Sequence, residues 1–228
     1  MRDEEDWPGA GENGQGKMIV RPPSTEGHDL RMLCMYGDVD LILSRLQGTS
    51  QRKDTVRSVM DMLIGLALKG YEGRSIGTIY LIGDIEGIRR HSTQMIINPF
   101  KGWNDINVMD PEQRPTFESF SQIDGAVVLD QRGYAHYAGR MIHIKGEIEN
   151  GSRGSQGDTP QKRAKGTRWR AAKFITERTS AVGVILSSSG EITVFERGKE
   201  IGRMERRICT FKESEAPVRV HSREEGLS

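Results

Sequence analysis

The sequence predicts an α/β domain, a mixed central sheet flanked by helices that pack on it. Three observations carry that expectation. Apolar residues recur at three-four spacing across 56–67, short β-branched apolar runs bounded by Gly and Asp stand at 76–82, 125–129 and 181–187, and helix-like and strand-like stretches alternate along the chain.

Composition sets the frame. The chain has 228 residues, a formal net charge of +1, 35% apolar and 29% charged residues, which suits one globular domain with polar extensions. No apolar run reaches the roughly 18 residues of a membrane span. The acidic, Gly-rich start at 1–16 lacks the basic and apolar regions of a signal peptide. These features lead to the expectation of a cytoplasmic protein with no membrane contact, and the near-neutral charge gives no indication of a nucleic-acid partner. Cys34 and Cys209 stand far apart, outside any C-x-x-C pair, and are expected to be buried or idle thiols. His28, His91, His136, His143 and His221 show no metal-ligand spacing, and His136 and His143 are expected at the surface.

The elements follow in order. Residues 1–28, rich in Gly, Glu, Asp, Pro and Ser, are expected to be disordered. A short extension at 29–53 holds an apolar run at 30–36 and a segment at 39–46 that reads equally as strand or short helix. The domain proper is expected at 54–211. Its first element is an amphipathic helix behind an Asp54 N-cap, built on Val56, Val59, Met60, Leu63, Ile64 and Ala67 and stopped at Gly70. A buried strand at 76–82 (I-G-T-I-Y-L-I) is closed by Gly83-Asp84. A helix is expected at 86–94, ended by Asn98-Pro99, and another at 117–123. A strand at 125–129 returns through Gln131-Arg132-Gly133 to a strand at 134–138, a hairpin by its turn chemistry. Residues 146–165 carry no apolar pattern and read as a long mobile loop. Thr167 is the expected N-cap of a helix at 168–178, followed by a strand at 181–187, a turn at 188–190, and strands at 191–196 and 201–211. A polar tail occupies 212–228.

Two short segments resemble the signature of the diadenylate cyclase family: Asp124-Gly125-Ala126, opening a strand, and Gly166-Thr167-Arg168-Trp169-Arg170, opening a helix. The resemblance spans about 54–203. It is nearest the archaeal type through Gly77-Thr78-Ile79, Ile82-Gly83-Asp84, Asn98-Pro99-Phe100-Lys101-Gly102 and Thr193-Val194-Phe195. It implies that two ATP molecules, held by two subunits in a face-to-face dimer, are condensed into cyclic di-AMP with loss of pyrophosphate. It further implies a divalent metal, Mn or Mg, held by Asp124, with Arg168 and Arg170 on the triphosphate. The amides of the helix start that opens at Gly166 and Thr167 favour phosphate. Gly125 and Ala126 would border the nucleotide, Gly139 and Ile142 the base, and the hydroxyls of Ser187 and Ser189 would face phosphate.

The chain departs from the family at two places. Trp169 stands where the family's R-H-R motif has histidine, and indole donates one hydrogen bond but carries no charge. Ser188 stands where some branches have a metal-holding glutamate. A second reading therefore stays open beside the cyclase: a catalytically silent relative that binds ATP or cyclic di-AMP as a sensor.

Overall fold

The computed structural model describes residues 17–20, 29–144 and 166–212. In chain order the strands and helices are β1 (Lys17–Val20), β2 (Asp29–Tyr36), α1 (Val39–Arg45), α2 (Ser50–Lys69), β3 (Thr78–Ile82), α3 (Ile85–Arg90), β4 (Ser92–Gln94), α4 (Arg114–Phe120), β5 (Ala126–Leu129), β6 (Ala135–Ile142), α5 (Thr167–Arg178), β7 (Val182–Leu186), β8 (Ile192–Glu196) and β9 (Lys199–Lys212). The described strands form one nine-stranded sheet in the order β1-β2-β9-β8-β7-β3-β5-β6-β4. Its strand pairs are antiparallel apart from β3 with β5, so the sheet is mixed, as expected.

Helices cover both faces, which explains the unbroken apolar run of β3. Tyr80 and Ile82 join Val127, Leu129, Val184 and Leu186 in a core against Val56, Val59, Met60 and Leu63 of α2. Ile79 and Leu81 point the other way and meet Ala126, Val128 and Ile185 under Ala171, Ala172 and Ile175 of α5. A strand buried on both sides has no polar positions to alternate. The Tyr80 hydroxyl, buried with it, reaches Ser121 Oγ at 2.8 Å and donates to the Phe117 carbonyl at 3.0 Å, tying α4 to the sheet.

Several boundaries differ from expectation. The helix expected behind Asp54 starts a turn earlier, because Thr49 Oγ1 accepts the Arg52 amide and caps it; Asp54 lies within the helix. The ambiguous 39–46 segment is a helix, since the Asp38 carboxylate accepts the Leu41 amide. The helix expected at 86–94 stops at Arg90, and 92–94 pairs with β6 as β4. Tertiary bonds decide this: Arg140 of β6 donates to both the hydroxyl and the carbonyl of Ser92, at 2.7 Å each. The helix expected at 117–123 runs instead over Arg114–Phe120, after a 3-10 turn capped by Asp110. The hairpin is present, but β6 extends through Gly139 to Ile142. Residues 17–20, within the segment expected to be disordered, line the edge of β2 as β1. The remainder of 1–28, the 146–165 loop and 213–228 lie outside the described residues.

Cys34 and Cys209 are both buried, and the Tyr36 hydroxyl lies 2.9 Å from Cys209 Sγ. That contact and burial push the Tyr36 pKa up to about 12.

Candidate active site

Strand register gathers the motif residues. Parallel pairing aligns Ile79 of β3 with Ala126 of β5, and antiparallel pairing aligns Leu186 of β7 with Thr78. Gly77, Asp124-Gly125 and Ser187 lie just beyond those pairs, at one end of the sheet. Arg140 of β6 stands opposite Ala126, which carries Gly139 and Ile142 to the same end, and Ile192 of β8 opposite Leu186 brings Glu191 there. The start of α5 joins them: a Cβ on Gly77 would stand 2.6 Å from Nη1 of Arg168.

That helix start carries the positive end of a helix dipole. Gly166, not Thr167, occupies the N-cap position; Thr167 is already helical, and Gly166 has no side chain with which to cap. The first intrahelical bond runs from the Arg170 amide to the Gly166 carbonyl at 3.1 Å, so the amides before it are left for other partners. Arg168 and Arg170 are exposed. Two guanidinium groups beside the positive end of a helix dipole repel it, and a bound polyanion removes the conflict. Gly77, outside the candidate set drawn from the sequence, is what clears room for Arg168. Its sequence signal was the Gly77-Thr78-Ile79 segment that opens the strand.

Trp169, between the two arginines, lies on β8 and β9. Its ring meets Phe195 edge-on at 5.3 Å and its Nε1–H donates to Glu200 Oε2 at 3.3 Å. Glu200 in turn accepts from Arg203 at 2.9 and 3.0 Å, and Arg203 also bonds Glu191 at 3.2 Å. Burial works against the Arg203 charge, yet the Glu200 hydrogen bond and Glu191 leave its pKa above the ordinary arginine value.

The serine turn is tightly made. Ser187 Oγ lies 2.7 Å from Ser189 Oγ and accepts the Glu191 amide at 3.0 Å, so the two hydroxyls already engage each other. Asp124 is exposed at the mouth of β5. Gly125, at φ +102°, serves the sheet: a Cβ there would come within 2.7–3.0 Å of the Gly139 and Arg140 backbone. The close approach it permits is therefore that of β6. Ala126 is wholly buried. The space above Gly139 is filled by Ile96, whose Cγ1 would stand 2.6 Å from an added Cβ, and Ile142 is half-buried against the α5-side core.

Among the described residues no cluster of three or more His, Cys, Asp or Glu could enclose a metal ion. The donor set still fits a metal shared with a nucleotide. Mg-type ions in such sites take one or two carboxylates and complete their shell with phosphate oxygens and water, and Asp124 is one such exposed carboxylate. A cavity of about 610 Å³ lies elsewhere, between the 98–105 loop and the β5–β6 turn, lined by Lys101, Trp103, Asp130, Arg132 and His136 among others. His136 is 41% exposed in its side chain, and His143 Nε2 bonds the Thr93 hydroxyl, consistent with surface roles.

A mixed sheet covered by helices on both faces, with a carboxylate and an uncapped, arginine-bearing helix start at one end, is the frame of a nucleotide-binding α/β domain. The chain belongs to the DAC family, described as DisA bacterial checkpoint controller nucleotide-binding, whose sequence profile matches residues 66–200, more than half of its length. It is similar to a diadenylate cyclase of Methanocaldococcus jannaschii, at 32% identity over 150 residues, covering 65% of this chain and 45% of that one. It is also similar to a diadenylate cyclase of Haloferax volcanii, at 29% over 147 residues, covering 64% and 51%. The chain thus spans about half the length of the curated relatives it matches. Among solved structures, DacA of Staphylococcus aureus, a double mutant, superposes with a TM-score of 0.41 at 21% identity, covering 69% of this chain and 89% of that one. A hypothetical membrane-spanning protein of Bacillus cereus gives 0.44 at 15%, covering 65% and 62%. Among the described residues no helix is long and apolar enough to cross a membrane.

Proposed function

We propose that this domain is a diadenylate cyclase that condenses two ATP molecules into cyclic di-AMP, a second messenger, in the cytoplasm. The observation that carries the reading is the gathering of Asp124, the α5 start with Arg168 and Arg170, and the Ser187–Ser189 turn at one end of the sheet, in a chain of this family. The names of the two archaeal relatives support it.

In this reading the 3′-hydroxyl oxygen of each ATP forms a bond to the α-phosphorus of the other as the bond to pyrophosphate breaks and the hydroxyl proton passes to water. The residues hold and neutralise rather than react. Arg168 and Arg170 grip the triphosphate with planar donors and, with the free amides of the α5 start, stabilise charge on the leaving pyrophosphate. Asp124 would hold a divalent ion, Mn or Mg, which when bound would supply positive charge against that developing on phosphate. Ser187 and Ser189 face phosphate, and Ile142 borders the base; Gly139, expected there too, is covered by Ile96.

One chain offers one Asp124 and one arginine pair, whereas the product needs two reciprocal attacks. Two subunits meeting across a two-fold axis complete the site. Exposed apolar side chains near that end, Met95 and Met141, at 46% and 50% exposure, suit such a contact.

The silent-relative reading draws on Trp169 alone. Its ring on Phe195 and Glu200 leaves the two flanking arginines exposed, which favours the cyclase. Incubation of the purified chain with ATP and manganese or magnesium, followed by mass detection, tests the reading: cyclic di-AMP is expected, and ATP bound without product would establish the sensor instead.

A further inference from the structure

Trp169 raises a question that the family motif leaves unanswered: what holds the arginine-bearing start of α5 in this chain. Gly166 contributes no capping bond, and the turn begins with two exposed cations. Side-chain anchorage of that first turn comes from Trp169, through its N–H on Glu200 and its ring on Phe195. Glu200 is shared. It also receives Arg203, which extends to Glu191, and Glu191 Oε1 accepts the Thr193 hydroxyl at 3.3 Å while its amide donates to Ser187 Oγ. A continuous relay therefore runs from the helix start through Glu200 and Arg203 to the serine turn. These are the two pieces of backbone to which the proposed function gives the triphosphate. The Glu200 and Arg203 side chains are 28% and 30% exposed, enough cover to hold one geometry and enough solvent to keep the fold indifferent to their loss.

We propose that Glu200 is a positioning residue for the triphosphate: by binding Trp169 and Arg203 at once it locks the α5 start to the serine turn, so that Arg168 and Arg170 meet ATP pre-arranged. This rests on the reading of the site as an ATP site. A misaligned charged hydrogen bond is worth on the order of 1 kcal/mol, about a fivefold change in affinity. Trp169 is accordingly half of the device and not an inert replacement of histidine.

The test uses the full chain and ATP itself. Glu200→Ala is expected to raise KM for ATP about fivefold and to weaken ATP binding in calorimetry equally, with kcat within twofold and the melting temperature within a few degrees. Trp169→Phe keeps the ring on Phe195 but removes the N–H, and it should give part of the same shift. The double variant should be no worse than Glu200→Ala, because both changes break one relay. Glu200→Gln, which retains an acceptor for Trp169 but no charge for Arg203, gives an intermediate value and guards against a folding defect in the Ala variant. Unchanged KM and affinity in both Glu200 variants, or fully additive single effects, would overturn the proposal. Calorimetry separates the two readings. Wild-type protein that binds ATP without turnover sinks the cyclase while the relay is still decided by affinity; wild type that does not bind ATP sinks both.

Discussion

The two ends of the central sheet are built from the same strands and finished in opposite ways. At the end where β3 stops, polar side chains lock the chain: Asp84 accepts the amides of Gly87 and Ser180 at 3.0 Å each, and Arg52 donates to the Ser180 carbonyl at 2.7 Å. Arg52 also lies 3.5 Å from Glu196, which accepts the Gln47 amide. Thr55 donates to Gln131, and Asp130 accepts two amides of its own turn. At the other end the chain is trimmed to glycine at 77, 125 and 166, and Asp124, Arg168 and Arg170 stand in solvent. One end is sealed around Asp84 and Arg52, with the cavity beside Asp130 at its margin, and the other is the end to which the proposed function gives the nucleotide. On that reading stability and function fall to separate ends of the same strands, and substitutions should sort accordingly.

The largest effect is expected at the open end. Asp124→Asn removes charge at constant volume, so cyclic di-AMP formation should fall by at least about a thousandfold while the melting temperature holds. Activity near wild type would remove Asp124 from its role. At the sealed end the reverse is expected. Burial already lowers the Arg52 pKa, with Glu196 offsetting part of that, and Glu196→Ala leaves the guanidinium without its carboxylate. A loss of about 3 kcal/mol of unfolding free energy is expected in denaturant titration, with ATP affinity intact. Next come Arg168→Ala and Arg170→Ala, each expected to weaken ATP binding by about 1.5–3 kcal/mol in calorimetry without loss of stability. Unchanged affinity in both would take the triphosphate away from them. The smallest effects compare two glycines. Gly77→Ala displaces the Arg168 guanidinium, so KM for ATP should rise several-fold, about 1 kcal/mol, at a nearly constant melting temperature. Gly65→Ala, inside α2 with nothing within 4 Å of the added carbon, should stabilise by about 0.5–1 kcal/mol and leave KM unchanged.

What was legible in the sequence follows the same division. The apolar face of α2, the strands at β3, β5, β7 and β8, and the hairpin carry their signal locally, in periodicity and turn residues, and each formed within a few residues of its expected bounds. Asp124 and the arginines were visible as motifs, and strand register supplies the reason they share one end. Hidden from the sequence was whatever depends on a distant partner. Ser92–Gln94 becomes a strand because Arg140 reaches Ser92 from β6. Asp54 resembled a cap as well as Thr49 does, and packing chose Thr49. Gly125 looked like clearance for a ligand and is clearance for β6. Glu200 and Arg203 showed no pattern at all, because their meaning lies in Trp169, about thirty residues earlier and on another element.

The pairing of β2 with β9 also sets a clock. Tyr36 and Cys209, in contact across that pair, are 173 positions apart. At ribosomal rates of about 5–20 residues per second, β2 waits roughly 10–35 s for the strand that completes it. During that interval the N–H and C=O groups on one side of β2 have no native strand to bind. The nascent chain is thus exposed to mispairing for as long as that synthesis takes. A product that terminates before Lys199 would hold Asp124 and α5 and still lack the strand that joins β2 to the rest of the sheet.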